Sequence, residues 1–125
     1  MSKTVHTDTA PAAIGPYSQA VISGSLVFTS GQIAINPQSG EVEANDIVSQ
    51  TEQVMKNLGE VLKAAGSDYT KAVKTTCFLK DMADFAAFNE IYGKYFVGKP
   101  ARSCVAAAAL PKGVLVEVEV IAEID

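Results

Sequence analysis

From Val114 to Ile124 apolar and polar residues alternate. Val114, Val116, Val118, Val120, Ala122 and Ile124 form one face, and Leu115, Glu117, Glu119, Ile121 and Glu123 form the other. A period of two predicts a strand, with Lys112-Gly113 as the turn before it. Shorter apolar runs at Ser18–Ile22 and Leu26–Ser30 flank Ser23-Gly24 and predict a hairpin over 17–30. Ala72–Leu79 is rich in β-branched residues and predicts another strand. The period changes to 3.6 after Ile47. Val48, Val54, Met55, Leu58, Val61, Leu62 and Ala65 then recur as on one side of a helix, with Asn45-Asp46 to cap it and Gly66 to stop it. A second stripe, Phe85, Phe88, Ile91, Tyr92, Tyr95 and Phe96, predicts a helix starting at Asp81 or Asp84. The order is β-β-α-β-α-β-β, which predicts a mixed sheet with both helices on one face, an α+β fold. The valine row of the last strand suggests an apolar face left uncovered, and hence a homo-oligomer.

The stretch Lys99-Pro-Ala-Arg-Ser-Cys-Val105 adds chemistry. Pro100 takes Lys99 out of helical geometry and starts an extended run whose apolar surroundings should draw it inward. Arg102 and Cys104 then share one face, with Ser103 on the other. A guanidinium so placed needs an anion, either a protein carboxylate or the carboxylate of a small ligand. If this strand pairs with the last one, Glu117 or Glu119 comes near Arg102. At Ser30-Gly31 a hydroxyl adjoins backbone that a ligand can approach closely. Asn89 is an amide one residue from an apolar stripe.

The 125 residues suit one domain, and 48% hydrophobic residues support a core. Net charge is −4 without any Lys/Arg run, which leaves nucleic acid without its usual footprint. No apolar stretch reaches the ~20 residues of a membrane span, and the N-terminus has no secretory h-region. Cys77 and Cys104 read as reduced thiols of a cytoplasmic protein. His6, the single histidine, falls in a segment expected to be frayed. No metal cluster or histidine-based triad is visible.

Six segments in order, Ala12–Ser18, Phe28–Ile33, Val73–Thr76, Phe85–Asn89, Pro100–Val105 and Val116–Glu119, resemble the Rid (YjgF/L-PSP) family of reactive intermediate deaminases. The likeness runs along nearly the whole chain, anchored on Pro-x-Arg-Ser-x-Val and the late Glu strand; the loop before Pro100 is shorter than in some members. It implies a chorismate-mutase-like fold spanning residues 1–125, assembled as a homotrimer with clefts between subunits. It also implies hydrolysis of 2-imino acids or their enamine tautomers to 2-oxo acids and ammonia, without cofactor or metal. The matching positions are Tyr17, Ser30, Gly31, Asn89, Arg102, Cys104 and Glu117. On that reading Arg102 grips the substrate carboxylate and Glu117 handles protons. Ser30, Gly31, Asn89 and Cys104 line the ligand, and Tyr17 closes the cleft from an adjacent subunit. A non-enzymatic sensor of small 2-oxo acids is the alternative, since a carboxylate clamp serves both. A ribonuclease reading lacks its histidine pair and basic stripe.

Overall fold

Six strands, β1 (Lys3–Val5), β2 (Ala20–Ser23), β3 (Leu26–Thr29), β4 (Ala72–Leu79), β5 (Ala101–Ala106) and β6 (Val116–Glu123), form one sheet in the order β1-β2-β3-β6-β4-β5. The structure is a computed structural model describing residues 2–125. Helices α1 (Ile47–Ala64) and α2 (Phe85–Tyr95) share one core with the sheet. β4, α2 and β5 make a parallel crossover unit; the remaining pairings are antiparallel. The fold is therefore α+β with a mixed sheet.

Local chemistry sets the helix ends. Asp46 Oδ1 accepts from Ser49 N–H at 2.8 Å, a side-chain N-cap, and Gly66 takes φ +82 just past the end of α1. Both candidate starts of the second helix are used. Asp81 caps a short 3₁₀ turn, Met82–Asp84, and α2 follows it directly. The α1 stripe of Val54, Met55, Leu58, Val61 and Leu62 is fully buried, as are Val116, Val118, Val120 and Ala122 of β6.

That placement corrects the oligomer argument. The valine row faces the helices and is the core. The helix-free face instead carries Phe28 and Ile121 directly paired, Phe78 paired with Glu117, and Thr76 paired with Glu119. Alternation separates two faces of a strand without saying which one the helices cover.

Three further expectations are revised. Residues 3–5 form an edge strand against β2, with Val5 opposite Ala20 and buried, so this part of the N-terminus is anchored. Three residues are too few for a period of two to register. The first hairpin strand starts at Ala20, not Ser18: Gln19 O still accepts from Ser30 N–H, but Ser18 O is taken by the Ser30 side chain, which ends the ladder. Lastly, β5 and β6 are not neighbours, because β4 lies between them, and β5 is an edge strand with Val105 49% exposed.

Candidate functional site

The sheet order divides the predicted site residues into two groups. Tyr17, Ser30, Gly31 and Glu117 line one cavity of about 390 Å³, together with Pro11, Ala12 and Gln19 among others. Arg102 and Asn89 line a second, of about 470 Å³, with Tyr92, Lys99 and Pro100. Glu117 projects from the helix-free face, beside Phe78. Arg102 is registered with buried Thr75 and lies on the helix side. Glu117 and Glu119 are therefore not the partners of Arg102 that adjacent strands would have made them. Tyr17 shares its cavity with Ser30 and Glu117 within one protomer, so the division runs between Arg102 and Glu117, not between Tyr17 and the rest.

In the first cavity the backbone leaves β3 at Ser30. Two carbonyls hold that residue: Ser30 N–H donates to Gln19 O at 2.9 Å, and Ser30 Oγ donates to Ser18 O at 2.6 Å. With its proton so engaged, the hydroxyl presents lone pairs to the cavity and suits a ligand that donates. Beyond it, Asn57 of α1 donates to the carbonyls of Ile33 and Ile35 at 3.0 and 2.9 Å, fixing the segment after Gly31. The Glu117 carboxyl packs on Gly31, where an added Cβ would fall 2.1 Å from Oε2. Burial, and second the nearby Glu119, push the Glu117 carboxyl above its ordinary pKa of 4.5.

This close approach yields a test. Gly31→Ala displaces the flexible end of Glu117 and little else. We expect a melting temperature within ~4 °C of wild type, with ligand turnover reduced nearly as far as in Glu117→Gln. Wild-type turnover would show that the position of Glu117 is immaterial.

In the second cavity Arg102 Nη1 donates to Asn89 Oδ1 at 2.5 Å. The guanidinium lies 4.8 Å from the Tyr92 ring centroid and 5.4 Å from that of Phe85. Tyr92 is itself fixed by a 2.7 Å bond to Thr75 Oγ1. Among the described residues no carboxylate pairs with Arg102. The cation is thus oriented by a neutral amide and two aromatic faces, which leaves its charge for an external anion. Cys104, two positions on, is half-buried on the same face. Burial raises its thiol, with Arg102 opposing, and deeper burial pushes Cys77 up to about 12. Neither has the depressed pKa of an activated nucleophile.

The pattern of the chain did not mark Tyr92, Phe85 and Asn57 as site support. The two aromatics sit in a helix stripe that reads as core, and Asn57 is an ordinary polar position until its two carbonyl partners are seen.

Residues 7–124 match the family model described as Endoribonuclease L-PSP. The chain is 51% identical over 121 residues to the Mus musculus protein named 2-iminobutanoate/2-iminopropanoate deaminase, across 96% of this chain and 90% of the relative. It is 54% identical over 123 residues to AldR of Lactococcus lactis, named as a proposed regulator, across 98% of each. Among solved structures, E. coli TdcF with bound serine superposes with a TM-score of 0.92 at 44% identity, covering 98% of this chain and 99% of that one.

Proposed function

Since the chain belongs to the endoribonuclease L-PSP (Rid) family, with its chorismate-mutase-like α+β fold, we propose that it hydrolyses 2-imino acids and their enamine tautomers, 2-iminobutanoate and 2-iminopropanoate among them, to 2-oxo acids and ammonia. The observation that carries this reading is Arg102, a cation held by Asn89, Tyr92 and Phe85 with no carboxylate partner among the described residues. A small carboxylate fits it through a two-pronged charge-assisted bond. The other cavity supplies the opposite pole, a Ser30 oxygen free to accept and the Glu117 carboxyl. A substrate with an iminium at one end and a carboxylate at the other matches both.

The chemistry asks little covalent help of the protein. A protonated imine is already electrophilic. Water adds to its carbon, losing a proton that Glu117 takes; the resulting carbinolamine expels ammonia and leaves the 2-oxo acid. Ser30 accepts from the iminium N–H, and Arg102 fixes the far end. Holding water against a fixed electrophile supplies the main rate gain, worth ~7 kcal/mol or more in favourable cases.

One protomer separates the two poles, so the proposal includes a homotrimer in which the Arg102 edge of one subunit meets the Glu117 cavity of the next. Exposed Phe28 and Val105 on the helix-free face, and the unpaired edge of β5, support that assembly. Sedimentation should read three times 13.1 kDa; a monomer that turns over substrate would refute the shared cleft. The reading also places the protein in the cytoplasm, which its two free thiols suit. Cleavage of RNA finds no support at this site: the single histidine, His6, pairs with Asp8 on the surface.

Cys104 serves as a neighbour of the ligand, so Cys104→Ser should keep kcat within about threefold of wild type. Complete loss in a folded variant would instead point to covalent catalysis. The main test is coupled turnover. Threonine dehydratase generates 2-iminobutanoate, and semicarbazide traps what remains. Catalytic amounts of the protein should suppress trapping and speed 2-oxobutanoate release. If they do neither, while 2-oxobutanoate raises the melting temperature, the protein is a sensor.

A further inference from the structure

Gln19 is a buried amide to which the mechanism above gives no task. It is 2% exposed and borders the Glu117 cavity. Its side chain is spent on the backbone of an earlier segment. Oε1 accepts from Thr7 N–H at 2.7 Å, while Nε2 donates to Thr7 O at 3.0 Å and to Pro11 O at 2.8 Å. Its own carbonyl accepts from Ser30 N–H. A single residue thus ties the strap Thr7–Pro11 to the Ser30 end of β3.

The strap has few other attachments. Between Val5 and Gln19 the only buried residue is Ala10, and every residue from Ala12 to Tyr17 is exposed or partly exposed. Ile14 stands 87% exposed and Tyr17 53%. Yet Pro11, Ala12 and Tyr17 are walls of the cavity. A wall without a core of its own holds its shape through the bonds at its base.

We infer that Gln19 is a positioning residue, clamping the Thr7–Pro11 strap so that Pro11, Ala12 and Tyr17 stay arranged over the Ser30–Glu117 cavity. This rests on the deaminase reading for its substrate. Loss of the clamp leaves Thr7 N–H, Thr7 O and Pro11 O unpaired and lowers the fraction of molecules with a closed wall. Apparent affinity falls by that fraction, while the chemistry within a closed site is unchanged.

The test is Gln19→Leu, with Gln19→Glu beside it. The Glu variant keeps the acceptor for Thr7 N–H and sets a carboxylate against two carbonyls. Both should raise KM for 2-iminobutanoate about tenfold, the size of effect expected from one or two unpaired buried polar groups, with kcat within about threefold. In a Tyr17→Ala background, Gln19→Leu should add little, because both act through the same wall. Amide hydrogen exchange should quicken at residues 7–17 and stay unchanged in β4 and β6. An unchanged KM, fully additive substitutions or exchange that rises across the whole sheet would overturn the inference; if Gln19→Leu does not fold, Gln19→Glu decides by the same readings. Inactive wild-type protein would remove the deaminase reading alone. The clamp would then be judged by exchange, confined to the strap if it stands and absent there if it fails.

Discussion

Arg102→Ala should lower kcat/KM for 2-iminobutanoate by about three orders of magnitude. Two charge-assisted bonds to a carboxylate are worth roughly 4 kcal/mol together, and that loss corresponds to about a thousandfold. Stability should change little, because Arg102 sits on an edge strand and its protein partners are an amide and two ring faces. Arg102→Lys is the sharper version. It keeps the charge but loses the planar fork and the stacking on Tyr92, and should recover no more than about tenfold over alanine. A lysine variant with wild-type kcat/KM would mean that any cation suffices and that the Asn89–Tyr92–Phe85 cradle has no part in catalysis.

Glu117→Gln should cost about 10²- to 10⁴-fold in kcat, the range for losing a proton acceptor. The acid limb of the wild-type pH profile should lie above the ordinary carboxylate value, because burial and then Glu119 raise this group, and activity falls as pH drops through its pKa. Glu119→Gln removes the second cause only. It should move that limb to lower pH without bringing it down to the ordinary value, and a limb that stays put would separate it from Glu117. Stability gives an independent sign. A carboxyl whose pKa is raised by folding supports the fold fully below its unfolded pKa and loses that contribution as pH rises through the folded one. Glu117→Gln should therefore melt higher than wild type at pH 7 and no higher at pH 4. A melting temperature at pH 7 equal to or below wild type would argue against burial as the source of the shift.

What could be read from the chain, and what could not, follows from the range of the forces involved. The helices, the Asp46 cap of the first, the Asp81-capped turn that opens the second, the Gly66 stop and the strand Ala72–Leu79 depend on neighbours a few residues away, and each is found close to where the pattern puts it. The alternation of Arg102 and Cys104 against Ser103 is likewise local. Strand order is not: insertion of β6 between β3 and β4 is settled by the whole core, and it removed Glu117 from the side of Arg102. The family resemblance named the residues of both cavities. Their division into two poles, and the Tyr92 and Phe85 rings beneath Arg102, emerge only once α2 is docked on the sheet.

The central position of β6 has a consequence for how the protein is made. β6 is the last of the six strands to leave the ribosome, yet β3 and β4 are joined through it. Until it arrives, a nascent chain displays two bare strand edges and leaves part of the α1 stripe uncovered. Closure must then wait for pairings between distant parts of the chain, which are slow to form and expose sticky intermediates. Such a chain has reason to stay near chaperones through synthesis, and a premature stop shortly before Val116 would yield an aggregating fragment, not a weakened enzyme.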